Sequence, residues 1–528
     1  MVDIDELRGN AYKKEVGIFG ATFMGISAIV GSAILFIPVT VLAAAGPAGT
    51  VAWLIGALMM LVIGLIYVEL GTVLPRSGAA GAYPHISNGS IAGLFNAWGV
   101  FLGYVLAPVS EVVGMVEYLS FFFPPLFNLT VGTLTIYGEI ITVIIVFLFF
   151  LGNYFGVKYL NKTNIYLTWL KLLSLAFIGI FFLAFYFHPA NFYRFRGGFI
   201  PYGSTGLLFA IATTVYAYAG FRQPVEYAEE IKNPRKWIPV AVILSIIISF
   251  VLYEVLSIIF IGDINWSYLG ITEGNWSKLS TLTFPLPAVA FGVGLVVMGY
   301  FIFITSIHSS ASSSLVYSGG AARVLAVMGE NGYIPAIFAK INKKGVPYIS
   351  VIVVLIISAF YTFLIPVFIS VALVFVDASL VSYAPAAISL LVFRKYLKVE
   401  KSNSFRLPFA DILAPAGFIV GSLLLYWTGF EYLRIALPSV LVIAILFLFS
   451  KRKNKIDKKE IKGGIWYPFY LISVLLMSYS GSTYFGGINL IHYPFDIVTF
   501  VIISIIFYFI GLYSGYYYMK PENNKSTA

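Results

Sequence analysis

Residues 216–230 read Tyr216-Ala217-Tyr218-Ala219-Gly220-Phe221-Arg222-Gln223-Pro224-Val225-Glu226-Tyr227-Ala228-Glu229-Glu230. The stretch lies deep in an apolar run that begins near residue 204, yet it places a glycine, an arginine and a proline within five residues. Glycine loosens a helix, and proline removes one of its backbone hydrogen bonds. A bilayer tolerates irregular backbone only where protein or a cavity satisfies it. The spacing therefore predicts a helix that breaks in mid-membrane. Free amides at such a break favour a carboxylate, and free carbonyls favour an ammonium. A second weak point is Ser27-Ala28-Ile29-Val30-Gly31-Ser32-Ala33-Ile34-Leu35-Phe36-Ile37-Pro38, with Gly20 and Gly25 before it. Alone, such a run of small residues also serves close helix packing. Paired with the first, five helices apart, it suits an inverted repeat of helices 1–5 and 6–10 around a site at the bilayer midplane. A zwitterion such as an amino acid matches the polarity of two such breaks.

The rest of the chain agrees with a membrane reading. Of 528 residues, 60% are hydrophobic and only 11% charged, about half the charged share of a soluble domain. That composition excludes a soluble enzyme, a disordered chain and a nucleic-acid binder. The absence of cysteine excludes disulfides, thiolate zinc sites, iron–sulfur clusters and a cysteine nucleophile. Fourteen apolar segments are long enough, or nearly so, to span a bilayer: 18–45, 48–73, 92–123, 136–157, 163–188, 204–229, 237–262, 286–318, 348–365, 367–396, 409–430, 432–450, 465–485 and 495–518. Segments 9 and 10 are divided only by Leu364-Ile365-Pro366. The expected fold is an all-α polytopic membrane protein. The polar start, with Asp3, Asp5, Glu6, Arg8, Lys13 and Lys14, has no short apolar region followed by a cleavage site, so no cleaved leader is expected.

Basic residues set the orientation. With the N-terminus inside, 27 of the 33 Lys and Arg fall on inside segments and 4 on outside ones, Arg194, Arg196, Lys278 and Arg434. Lys171 and Arg222 lie within spans. This asymmetry follows the positive-inside rule, so both termini are expected in the cytoplasm of a multi-pass cell-membrane protein. The net charge of +10 is thus a topology signal. Only the linker 451–464 is basic enough to read instead as a lipid or nucleic-acid patch. The expected organisation is a start at 1–17, a ten-helix core at 18–396, accessory helices 11–12 at 397–450, the basic linker 451–464, and accessory helices 13–14 with the tail at 465–528.

Several stretches resemble the amino acid–polyamine–organocation (APC) superfamily of transporters. Ile29-Val30-Gly31-Ser32-Ala33-Ile34 is similar to its helix 1 break, I-x-G-S-G-I, with Ala33 in place of the second glycine. Leu74-Pro75-Arg76-Ser77-Gly78 and Gly81-Ala82-Tyr83 resemble its P-R-x-G-G-x-Y loop. The run from Gly220 to Arg235 with Pro239 resembles its helix 6 and following loop, and Arg323, Gly329, Gly332, Pro335 and Pro347 match its loop between helices 8 and 9. The likeness covers roughly residues 15–450. It implies a LeuT-like 5+5 core with discontinuous helices 1 and 6, and a substrate carried by alternating access. It further implies that Ser32 and Ala33, with Gly31 beside them in the substrate site, present amides to a substrate carboxylate. Ile29, Tyr216 and Ala219, with Ala217 and Gly220 beside them, would present carbonyls to its ammonium. Tyr216 sits where the family places an aromatic gate, although plain packing also accounts for a tyrosine there.

The intramembrane charges carry the remaining chemistry, because a charge in a bilayer is costly without partners. Lys171 lies about 12 Å into segment 5 by helical rise, too deep for easy snorkelling. It resembles the lysine that stands in place of sodium in sodium-independent members of the superfamily. That likeness implies contact with helix 1 carbonyls and helix 8 hydroxyls, for which Thr305, Ser306, Ser309 and Ser310 are candidates. Such a lysine is also a candidate proton carrier. Glu111 in segment 3 is a candidate for the charge network, and Asp377 reads as a functional group or as a partner of Ser379 or Ser382. Arg222 and Glu226, at i,i+4, form a pair. Alternatively Arg222 attracts an acidic substrate side chain, or gates the site through Glu111. His308 alone is no metal site, and no phosphate-binding loop or other cofactor motif is present.

These residues point to a secondary transporter of amino acids, sodium-independent and working with protons or by exchange. Its expected partners are an amino acid, the lipid bilayer and protons, with no cofactor and no nucleic acid. A polyamine or organic-amine transporter is the alternative, which Arg222 disfavours. A channel would need a continuous polar pore, and an intramembrane enzyme a catalytic pattern that is absent from the spans.

Overall fold

The computed structural model describes residues 12–364, 367–397, 404–450 and 457–521. All fourteen expected segments coincide with helix. Segment 1 is α1 (Ile18–Ile29) and α2 (Ala33–Ala45), segment 2 is α3 (Gly49–Val73), and segment 3 lies in the long α4 (Ala79–Leu119). Segments 4 and 5 are α5 (Ile136–Tyr154) and α6 (Val157–Phe185). Segment 6 is α7 (Gly203–Ala217) and α8 (Gln223–Glu226), and segment 7 is α9 (Pro234–Asp263). After the short α10 (Trp266–Leu269), segment 8 is α11 (Pro285–Gly292) and α12 (Val296–Glu330), and segment 9 is α13 (Tyr348–Leu364). Segment 10 is α14 (Phe368–Leu380) and α15 (Tyr383–Tyr396). Segments 11 to 14 are α16 (Ala410–Trp427), α17 (Phe430–Ser450), α18 (Lys458–Gly464) with α19 (Trp466–Ser480), and α20 (Phe495–Met519). Phe127–Asn128 and Thr133–Leu134 form a two-stranded antiparallel ladder between α4 and α5.

Eleven described stretches are at least 18 residues long and apolar enough to cross a membrane. Three facts account for the difference from fourteen. Phe36–Val73 runs through α2 and α3 as one apolar stretch, α13 has 17 residues, and α17 extends into residues whose side chains lie outside the described set. The fold is that of an all-α polytopic membrane protein with discontinuous first and sixth segments. The residues dividing segments 9 and 10, Ile365 and Pro366, lie outside the described residues.

Three further interruptions were not expected. Segment 8 is divided at Gly294, whose φ of +80° suits glycine. Segment 10 is divided between α14 and α15, because Pro385 has no N–H to give to the Val381 carbonyl. α4 is divided at Gly89 (φ +85°, ψ −178°): its second part starts within two residues of the expected segment 3, and the helix before it was not expected. Its early part is the very loop that carries the Gly81-Ala82-Tyr83 motif.

The two broken segments occupy the centre. α1 packs on α6, α9 and α12, and α2 packs on α7. α4 runs along α12 and α14, while α3 lies against α7 and α9. The last helices wrap this bundle: α16 packs on α3 and α15, and α20 on α15, α16 and α4. Buried and half-buried ion pairs close the end of the bundle at Val73. Arg76 reaches Glu330 at 2.6 Å, Arg323 chelates Glu230 with one bond of 2.7 Å, and Arg394 chelates Glu69 at 2.7 and 2.6 Å. The segment before α1 joins the closure, since the Val16 amide donates to Glu230 O at 2.9 Å. Burial, with Glu330 nearby, pushes the Glu229 carboxyl in this cluster up to about 8.

Candidate functional site

The break in segment 1 is confined to Val30, Gly31 and Ser32. Val30 leaves the helix with φ −95° and ψ 73°, and α2 starts afresh after Ser32. The break in segment 6 lies at Tyr218, after which a 3-10 turn runs from Ala219 to Arg222. The two breaks meet. A Cβ placed on Gly220 would lie 2.2 Å from the Ala28 carbonyl carbon and 2.5 Å from the Ile29 nitrogen. Both are backbone atoms, so no side-chain movement relieves the contact, and glycine is required.

Several peptide groups released by the first break are engaged by other helices. The Ser32 amide donates to Glu111 Oε2 on α4 at 2.5 Å, and Ser313 Oγ on α12 donates to Glu111 Oε1 at 2.9 Å. A Cβ on Gly31 would lie 2.1 and 2.4 Å from the two Glu111 oxygens, so glycine makes room for the carboxylate. Lys171 Nζ on α6 donates to the Val30 carbonyl and, at 3.5 Å, to Ser27 O. Ser309 Oγ on α12 reaches the same Val30 carbonyl at 3.1 Å, and Tyr253 OH on α9 donates to Ile29 O at 2.8 Å. On segment 6, Tyr383 OH donates to Ala219 O at 3.3 Å.

This differs from the expectation that Ser32, Ile29 and Ala219 hold bare peptide dipoles for the substrate. The reason is energetic: an unpaired backbone group inside a bilayer costs several kcal/mol. The chain therefore satisfies these three groups itself. Of the candidate helix 8 hydroxyls, Ser309 reaches segment 1, while Thr305, Ser306 and Ser310 donate to carbonyls of their own helix, at Phe301, Ile302 and Ser306. Ala217 is buried at the end of α7. Ala33 opens α2. Tyr216 lies in α7, and its side chain lies outside the described residues, as does any gate built on it.

Arg222 is fully buried, with Nε at 2.5 Å from Tyr104 OH and at 3.6 Å from Glu226 Oε1. Nη1 donates to Ser382 Oγ, and the guanidinium lies 5.0 to 5.8 Å from the ring centroids of Tyr67, Tyr104 and Tyr383. Nη2 has no hydrogen-bond partner. Glu226 also accepts from Tyr104 OH at 3.0 Å and from the Ala80 amide at 3.4 Å. Glu111 is committed to Ser32 and Ser313, so Arg222 does not gate the site through it in this conformation.

Sequence reasoning missed Tyr253, Ser313 and Gln223. Each lies far along the chain from the break or beside a louder neighbour. Gln223 carried a signal, a buried amide next to the helix-breaking proline, and neither of its side-chain polar atoms has a hydrogen-bond partner. Toward the Ala45 end, a cavity of about 280 Å³ opens between Phe36, Val39, Thr40, Glu117, Leu282 and Pro285. Phe36 is four residues past Ser32, so the cavity stops roughly 6 Å of helical rise from the break.

A polytopic bundle with two facing breaks, an ammonium on one carbonyl and a carboxylate on the adjoining amide is a transporter architecture. A profile of the family described as "Amino acid permease" matches residues 16–527. The chain belongs to the amino acid permease family. This permease is similar to the glutamate/serine transporter AimA of Bacillus subtilis (strain 168), at 32% identity over 96% of this chain and 95% of the relative. It is similar to the aspartate-proton symporter of the same organism, at 32% over 96% and 98%. The branched-chain amino acid permease BcaP of that bacterium is 26% identical over 84% and 95%. Family and relatives are transporters, not enzymes, as the sequence led us to expect.

Proposed function

We propose that this permease is a proton-coupled, sodium-independent carrier of small polar and acidic α-amino acids, with glutamate, aspartate and serine as its first candidates. It moves them across the cell membrane by alternating access, with its Val73 end in the cytoplasm. The carrying observation is the pair of charges on the first break. Glu111 holds the Ser32 amide and Lys171 holds the Val30 carbonyl. Together they fill the places that a substrate carboxylate and ammonium would take. An incoming carboxylate meets Glu111 at the same amide, and two ionised carboxylates repel at that range. A proton on Glu111 removes the conflict, which makes substrate and proton enter together. The Lys171 ammonium already supplies a positive charge at the break, where sodium would otherwise be needed. The unpartnered Nη2 of Arg222 offers a site for a substrate side-chain carboxylate. The names of the two relatives at 32% identity support the substrate class and the coupling ion. The excess of Lys and Arg on inside segments supports the orientation. Residues 18–396 form the transport core in this reading, and the helices after them brace it.

The test is uptake of labelled L-glutamate, L-aspartate and L-serine by proteoliposomes in sodium-free buffer, with the lumen alkaline. Accumulation is expected, with collapse on addition of a protonophore. Lys171→Ala abolishes concentrative uptake, and Glu111→Gln keeps exchange but loses the dependence on the proton gradient. Uptake that requires sodium, or that ignores the pH gradient, would overturn the coupling. No uptake of any of the three would overturn the substrate class.

A further inference from the structure

A separate polar cavity of about 260 Å³ lies at the Ala45 end, between the end of α9 and the loops around it. His188, Asn191, Arg194, Asp263, Trp266 and Glu273 line it. Asp263, the last residue of α9, is 4% exposed, and neither of its carboxylate oxygens has a hydrogen-bond partner. Two effects make that arrangement unfavourable. A buried carboxylate without a partner loses its hydration, and the C-terminal end of a helix already carries partial negative charge.

The neighbours do not relieve it. Asn191 Nδ2 donates to Ile261 O and Gly262 O at 3.1 and 2.8 Å, capping α9, and leaves its own Oδ1 without a partner. The Trp266 Nε1 donor is also buried and unpartnered. Arg194 is exposed, stacks over Phe195 at 4.6 Å and has no ion pair among the described residues. The frame is firm, because Trp266 meets Phe195 and Trp276 edge-on, with centroids 5.4 and 5.0 Å apart. Unused acceptors in Asp263 and Asn191 Oδ1 and an unused donor in Trp266 thus lie buried in the wall of the cavity, with Arg194 exposed beside them.

We propose that this cavity is a second binding site, and that its ligand is an α-amino acid. The ammonium sits on Asp263 and Asn191 Oδ1, and the carboxylate meets Arg194 and Trp266 Nε1. A plain anion would face Asp263 and Glu273, and a plain cation would face Arg194, so a ligand bearing both charges suits the set. A metal ion does not, since no three His, Asp or Glu among the described residues are gathered to hold one. The site shares no residue with the helix breaks, so it stands or falls apart from the transport reading.

Tryptophan emission of the full-length protein in detergent, titrated with L-serine, ethanolamine and glycolate, tests it. The Trp266→Phe variant isolates the component that Trp266 contributes. That component is expected to change saturably with L-serine, and at least tenfold more weakly with ethanolamine or glycolate. Asp263→Asn and the surface substitution Arg194→Gln each weaken the L-serine response at least tenfold, with gel-filtration profiles and melting temperatures unchanged for Arg194→Gln. No saturable Trp266 response, an unaltered affinity in Arg194→Gln, or ethanolamine binding as tightly as L-serine would each overturn the proposal.

Discussion

Replacing Gly220 by alanine puts the smallest possible obstacle where the two broken helices touch. The added methyl would lie 2.2 Å from the Ala28 carbonyl carbon, 2.5 Å from its oxygen and 2.5 Å from the Ile29 nitrogen. Carbon atoms settle at about 3.5–4.0 Å, so the backbones must separate by more than about 1 Å. No rotamer change helps, because all three atoms are main chain. Overpacking of this kind costs about 1–3 kcal/mol of stability. The larger effect falls on transport. The shift moves the Ile29, Val30 and Ser32 peptide groups away from Tyr253, Lys171 and Glu111, and a misplacement of about 1 Å at a working site costs on the order of 100-fold. Initial rates of L-glutamate uptake in proteoliposomes are therefore expected to drop about 100-fold in Gly220→Ala. Gly17→Ala, where an added methyl meets nothing within 4 Å, is expected to stay within twofold of the parent. If Gly220→Ala transports within twofold of the parent, the breaks do not depend on this contact, and the geometry argued for the site is wrong.

Two other outcomes follow from buried charges. Glu226→Gln leaves Arg222 in its cage of tyrosines without a carboxylate, a loss of about 3–5 kcal/mol. The melting temperature in detergent should fall clearly, and the double variant Arg222→Met/Glu226→Met should recover most of it; an unchanged melt for Glu226→Gln would refute the pairing. Folding raises the Glu229 carboxyl to about 8, so its protonated form favours the closed Val73 end. Stability is then lost as pH rises from the ordinary carboxylate range to about pH 8, by at most about 1.4 kcal/mol per pH unit. Glu229→Gln is expected to flatten that slope in thermal melts between pH 5 and 9, and a parallel slope in both proteins would count against the assignment.

The positions of both breaks were legible because glycine and proline act locally. Gly220 and Pro224 weaken the helix that contains them, whatever packs beside it. What surrounds the breaks was not legible. Glu111 and Ser32 are 79 residues apart, and nothing in either stretch announces that a carboxylate would seek that amide. Tyr253 is one of 36 tyrosines, distinguishable only once α9 is laid beside α1. The division of segment 10 had a signal in Pro385, overlooked because the apolar run continues on both sides of it. Segment 3 begins close to its expected start, just after the Gly89 break; the separate short helix before it, bracketed by Gly78 and Gly89, was hidden because its turns carry a motif that resembles a loop.

Two consecutive carbonyls, those of Ile29 and Val30, tether three other helices through Tyr253, Lys171 and Ser309. Turning α1 on its axis would pull against all three moorings together, and none can slacken by degrees without stranding a polar group in oil. Such a hinge behaves like a latch: it holds fast or lets go as a unit. Half-turned forms of the carrier should accordingly be scarce and short-lived, with traffic passing between a few well-defined stations.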